Sequence, residues 1–419
     1  MKNRSVNLAI ISISLIFSMI ISLTACTMRV GAENLMQGIT PNEITVTESL
    51  NDKNEAVTDF AVRLFKAGKE DEKNTLISPL SVLCALAMTA NGAQNETLKQ
   101  MEKVLGMKTE ELNHYLYSYI NTLPKDEKSK LSLANSIWYN EDTRFSANKN
   151  FLQTNADYYG ADIYKAPFND QTCKDINNWV NKKTDKMIPE ILDKIPKRAV
   201  MYLVNALAFE AEWSSIYKKD NVREGKFTKE DGTKQEAEFM YSSQGVYLED
   251  QKATGFIKYY KGAQYAFVAM LPNKNISISE YVASLDGKAI SELLSNPQYT
   301  TVETAIPKFE TKYDTEMSSV LTKMGMPDAF DGNKADFRGL GTSIDGNIFI
   351  NRVLHKTFIS VGEKGTKAGA ATVIEMTNKA SSEIANAKEI YLDRPFVYML
   401  IDCKNNIPFF IGTMMDIKS

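Results

Sequence analysis

Histidine is almost missing from this chain. Only His114 and His355 occur among 419 residues. A serine hydrolase of the Ser-His-Asp type would have to use His355 as its base, since His114 lies in a polar, helix-like stretch and reads as solvated. No G-x-S-x-G elbow, H-E-x-x-H pair or complete phosphate loop is present. The run Gly362-Glu363-Lys364-Gly365-Thr366 superficially matches the end of a phosphate loop, but it lacks the first glycine and a following helix. Cysteine is scarce as well. Beyond Cys26 there are only Cys84, Cys173 and Cys403, an odd number with no C-x-x-C or metal-ligand spacing. That excludes a disulfide framework, and Cys84 and Cys403, in apolar runs, read as small buried hydrophobes. Charge of one sign is also lacking. Lys and Arg total 49 against 52 Asp and Glu, for a net charge of −3, so no nucleic-acid surface is expected. After about residue 52 there is no Pro/Gly/Ser-rich linker, charge block or internal repeat. One large α+β domain fits better than the two or three that the length alone suggests, and 43% hydrophobic residues are enough for a large core.

The N-terminus has its own pattern. Lys2 and Arg4 precede an apolar run over 6–23, as in a targeting segment. Leu23-Thr24-Ala25-Cys26 resembles the bacterial lipobox, in which Cys26 would be acylated and become the mature N-terminus. The alternative is an uncleaved membrane helix, since the apolar run is nearly long enough to span a bilayer. The reading adopted is a lipoprotein signal peptide over 1–25, a polar tether over 26–52 and a domain over 53–419. An acylated Cys26 carries enough chains for stable anchoring.

Along the domain, helical spacing covers 55–69. Ser78-Pro79 opens a helix over 80–91 that Gly92 stops. Residues 131–139 alternate as a strand, and 175–183 are helical. Residues 200–210 form an almost unbroken apolar run, the signature of a buried central strand. A second such run covers 263–271. Residues 303–309 read as a strand leading into a helix that carries Met317, Val320, Leu321 and Met324 on one face. Residues 348–361 read as one strand, and 391–402 with 408–414 as a closing strand pair.

Between the strands at 355–361 and 391–401 runs a loop over 363–393, longer than compact domains ordinarily carry. Its first part, Val361 onward, reads VGEKGTKAGAAT. Alternate residues from Thr366 give Thr366, Ala368, Ala370, Thr372, Ile374 and Met376, all small or apolar. The intervening set is Lys367, Gly369, Ala371, Val373, Glu375 and Thr377, and both charges fall there. Period two with one apolar face is the pattern of a strand. The loop thus carries strand sequence where loops are exposed; a mobile Ala/Gly linker with accidental alternation is the competing reading.

An ordered set of motifs resembles the serpins, the serine protease inhibitor family. Their hinge appears here as Glu363, Gly365, Thr366, Ala368, Gly369, Ala370, Ala371 and Thr372. Val353-Leu354-His355-Lys356 lies just upstream. Asn74-Thr75-Leu76-Ile77-Ser78-Pro79-Leu80-Ser81, Asn205-Ala206-Leu207-Ala208-Phe209 closing on Trp213, Ile306-Pro307-Lys308-Phe309, Asp393-Arg394-Pro395-Phe396 and Pro408-Phe409-Phe410-Ile411-Gly412 follow in family order. The similarity covers about residues 53–417.

The resemblance implies a serpin fold: a large, mostly antiparallel central sheet, further sheets, about eight to nine helices and an exposed reactive-centre loop over 363–392. It implies a suicide-substrate inhibitor of trypsin-like or subtilisin-like serine proteases rather than an enzyme. A protease attacks the loop, and the cleaved loop enters the sheet as a strand before the acyl-enzyme hydrolyses. The family's counting from Glu363 puts the reactive bond at Lys379-Ala380. The loop is longer than in many relatives, so Asn378, Ala380 or Ser381 stay open as alternative sites of attack. Ser78, Ser81, Asn205 and His355 match the polar "shutter" beneath the sheet, and Trp213 the "breach" where the loop enters. Thr366 is expected to be exposed at rest and to enter first. No cofactor, metal or nucleic-acid partner is implied, and the protein is expected to be a monomer on the outer face of a bacterial membrane. The alternative reading is a non-inhibitory serpin acting as a cell-surface binding protein.

Overall fold

The structure is a computed structural model that describes residues 31–45, 51–124, 129–141, 145–196, 199–344, 346–366 and 387–418. Local sequence chemistry explains the elements that matter most. Ser78 takes an extended conformation as N-cap, and Pro79 supplies a preset φ in the first turn of helix Pro79–Ala90. Every residue of that helix is buried, so it is apolar all round and lies inside the molecule. Strand Met201–Glu212 is buried along nearly its whole length, as its unbroken apolar run predicts. Nine α-helices occur among the described residues.

The central sheet has seven strands in the order Glu33–Asn34, Asp162–Ala166, Ser129–Asn140, Met201–Glu212, Gly365–Thr366, Arg352–Gly362 and Phe309–Glu316. Most of its pairings are antiparallel. Asp162–Ala166 with Ser129–Asn140, and Arg352–Gly362 with Met201–Glu212, are parallel. A six-stranded sheet built around Tyr265–Pro272 and Phe396–Asp402 and a four-stranded sheet built around Val302–Pro307 and Lys234–Gln244 complete the α+β architecture. One hydrophobic cluster runs continuously from helix Pro79–Ala90 through the central sheet to Phe409 and Phe410.

Four expectations change. Residues 309–316 form a strand of their own, with Phe309, Thr311 and Tyr313 inward and Glu310, Lys312 and Asp314 outward. The helix is confined to Ser318–Met324. The strand read as 348–361 begins only at Arg352. The apolar run from 391 splits into Lys388–Tyr391 and Phe396–Asp402. Pro395 lies in the break and has no N–H for a ladder. The tether expected over 26–52 is docked where it is described. Glu33 and Asn34 pair with Lys165 and Tyr164, and Leu35, Met36 and Ile39 pack against the core. The Asn42 N–H donates to Asp157 at 2.7 Å. Three apolar side chains are enough to hold this segment on a sheet edge, and so short a contact leaves no periodicity to read. The signal peptide and Cys26 lie outside the described residues.

Candidate functional site

Strands Met201–Glu212 and Arg352–Gly362 touch at one end and are kept apart at the other. Over Tyr202–Ala206 they pair directly with Arg352–Lys356. At the far end, Gly365 and Thr366 lie between them. Thr366 faces Ala211 on one side and Val361 on the other. Val361 through Thr366 is thus a hairpin with a two-residue turn at Glu363-Lys364. A Cβ at Gly365 would collide with the carbonyl oxygen of Ala211, so only glycine fits this entry point.

The sequence led one to expect Thr366 to be exposed at rest, and the structure corrects that. Thr366 is 1% exposed and already in the sheet, with its hydroxyl 2.5 Å from that of Tyr260. The competing strand and linker readings of this segment are resolved for Gly365 and Thr366 in favour of strand. The remaining hinge residues, Ala368, Gly369, Ala370, Ala371 and Thr372, and the bond Lys379-Ala380, lie outside the described residues.

The turn is held at its carbonyls. Trp213 donates its indole N–H to Gly362 O at 2.8 Å and its main-chain N–H to Lys364 O at 2.8 Å. Tyr217 donates its main-chain N–H to Glu363 O at 3.0 Å. The Trp213 ring stacks on Tyr260 at 4.4 Å between centroids, which ties the indole to the residue that meets Thr366. Lys308, from the Ile306-Pro307-Lys308-Phe309 motif, pairs with both Glu363 and Glu238. Burial would raise the Glu363 carboxyl, but Lys308 and the turn's own N–H hold it below the usual range.

Where the two strands join directly, the structure brings Ser78, Ser81, Asn205 and His355 together. The Ser78 main-chain N–H donates to His355 Nε2 at 3.1 Å, so the ring proton is on Nδ1. Nδ1 donates to Asn205 Oδ1 at 2.9 Å, which also accepts from the Ser81 hydroxyl at 2.6 Å. Asn205 Nδ2 donates to Asn135 Oδ1 at 3.1 Å. Ser78 contributes its backbone rather than its side chain to the cluster. His355 is fully buried, and burial pushes its pKa down to about 3. Both ring nitrogens are occupied, by the Ser78 main-chain N–H and Asn205 Oδ1, and neither accepts from a serine hydroxyl among the described residues, so His355 is not placed to act as a catalytic base.

Sequence reasoning missed Asn135, Tyr217, Lys258, Tyr260 and the role of Lys308. Asn135 was legible as a polar residue on a strand expected to be half buried. Nothing local marks Tyr217 or Tyr260, whose roles exist only across the sheet.

Comparison with known proteins agrees with this geometry. The family model described as Serpin (serine protease inhibitor) matches residues 55–417. The crystal structure of the thermophilic serpin tengpin in the native state is 49% identical, covers 92% of this chain and 99% of its own, and superposes with a TM-score of 0.88. Tengpin in the latent state, at 48% identity and coverage of 90% and 100%, gives 0.78. The leukocyte elastase inhibitor of Equus caballus is 29% identical over 365 residues, 82% of this chain and 94% of its own. With its hinge, its buried polar cluster and a family match over nearly the whole domain, this chain belongs to the serpin family.

Proposed function

We propose that this serpin inhibits serine proteases as a suicide substrate, with cleavage at Lys379-Ala380 and insertion of the loop between strands Met201–Glu212 and Arg352–Gly362. The observation that carries the reading is the seated hinge: Gly365 and Thr366 already occupy the first two positions of a strand between those neighbours. Continuing the same register, each further residue would meet one residue of each neighbour. Ala368 would face Phe209, Ala370 would face Leu207, and Thr372 would come between Asn205 and His355. Insertion would therefore have to break the direct pairing of Asn205 with His355, and the polar cluster there can exchange partners. Thr366 is buried, so Ala368, Ala370 and Thr372 would share its face in an inserted strand, and their small size would keep the cost of entry low. Fifteen inserted residues, Gly365 to Lys379, would span roughly 50 Å, which carries an attached protease across the molecule.

A Lys before the reactive bond suits a trypsin-like pocket with an acidic base. Acylation of Cys26 would anchor the protein to the outer face of a bacterial membrane. Incubation of the mature domain with trypsin-like and subtilisin-like proteases tests the proposal. An SDS-resistant complex cleaved at Lys379-Ala380 is the expected product. Cleavage with continued turnover by every protease would overturn inhibition and leave a surface-binding role.

A further inference from the structure

Strand Ala253–Tyr259 and the residue that follows it place Phe256, Lys258 and Tyr260 on one face. Phe256 and Tyr260 are fully buried in the main core, and Lys258 between them is only 1% exposed. An interior position on an apolar face is the wrong place for an ammonium, since burying a charge is expensive unless something compensates it. Its surroundings provide that compensation. Lys258 Nζ donates to Ser215 O at 3.2 Å and lies 4.4 Å from the Tyr217 ring centre and 5.2 Å from that of Trp213. A cation between two aromatic faces in a dry site is at the strong end of such interactions.

Several carboxylates on neighbouring elements are engaged elsewhere, and Glu249, on the strand paired with it, is exposed. Glu212 pairs with Lys261, Glu238 and Glu363 with Lys308, and Glu236 with Lys226. Glu389, on the strand packed beside it, is exposed. The hydroxyls of Tyr217 and Tyr260 are pushed up by burial and stay neutral. Lys258 thus meets one carbonyl and two rings, and both rings belong to the residues that hold the hinge carbonyls.

We propose that Lys258 is a positioning residue of the hinge: its ammonium fixes Trp213 and Tyr217, and through them the turn that keeps Thr366 seated in the sheet. The lysine charge is then a control on hinge seating. Burial alone pushes its pKa down to about 8, so this charge is lost in mildly alkaline solution, well before that of a surface lysine. The consequence for trapping a protease rests on the inhibitory reading; the clamp itself does not.

Amide hydrogen exchange on the resting protein, without protease, tests it. The Trp213 and Tyr217 N–H groups are the donors to the hinge, so the peptide over 212–218 reports directly. At neutral pH, Lys258→Met is expected to exchange on the order of tenfold faster there than the wild type, with the rest of the sheet unchanged. After correction for base catalysis, the wild type should converge on the variant by about pH 9.5, whereas Lys258→Arg should stay protected throughout. Equal protection in wild type and Lys258→Met at neutral pH, or a difference that does not shrink on raising the pH, would show that the residue only fills space. Should Lys258→Met fail to fold, the corrected wild-type profile decides alone: a flat line between about pH 7 and 9.5 overturns the proposal.

Discussion

Asn205 and His355 are partners twice over. They face each other in the parallel register of two central strands, and the His355 Nδ1–H donates to Asn205 Oδ1 at 2.9 Å. They mark the point where the sheet is closed, while Thr366 marks the point where it is held open. The predictions below turn on the difference between those two points.

Asn205→Ala should cost about 3 kcal/mol, because it takes away the partner of the buried His355 ring proton and of Asn135 Oδ1 and leaves the Ser81 hydroxyl only its longer bond to Ser78 O. Ser81→Ala removes one donor to the same oxygen and should cost about 1 kcal/mol. Denaturant unfolding of both variants and of the double variant checks the network. Additive losses would mean that the groups act independently.

Acid should weaken the fold through His355. Its folded pKa, about 3, is below the unfolded value of 6.5, so between those pH values the unfolded chain binds the extra proton. The contribution is complete above 6.5 and is lost as the pH falls toward 3, about 5 kcal/mol in all. His355→Gln has no such group. Stability curves of the two proteins should converge as the pH drops through that window, and parallel curves would contradict a buried neutral histidine.

Thr366→Arg cannot be accommodated as the structure stands. The side chain is buried against Tyr260, and an unpaired guanidinium there is more costly than leaving the sheet. The hinge should unseat and the stoichiometry of inhibition should rise at least tenfold. Thr366→Val, which loses only the hydroxyl contact, should cost about 1 kcal/mol. In an inserted strand Lys367 would take the face opposite Thr366, so Lys367→Glu should inhibit almost as the wild type does. Equal effects of Thr366→Arg and Lys367→Glu would exclude strand insertion.

Cys26→Ser removes the proposed acylation site. Fractionation should then find the protein released or unprocessed instead of firmly bound to membranes. A Ser variant that remains as tightly bound would exclude the lipid anchor in favour of the uncleaved helix.

Local chemistry was enough to identify the helix that Ser78 and Pro79 open and the buried central strand. Each is written into neighbouring residues as a cap or an apolar run, and these patterns act over a few residues. The motif Lys308 and the polar residues Ser81, Asn205 and His355 were legible as residues but not as a geometry, because their partners are far away in sequence. That Ser78 gives its main-chain N–H, that Asn135 completes the cluster, and that Glu363 is the partner of Lys308 were decided across the sheet. So was the resting place of Thr366. Its side chain is as compatible with an exposed loop as with a buried strand, and the choice was made by the gap between two strands, the Tyr260 hydroxyl and the close approach of Gly365 to the Ala211 carbonyl. Lys258 is the extreme case. Its own sequence context predicts an apolar residue, and only the tertiary fold supplies the carbonyl and the two rings that let a charge remain there.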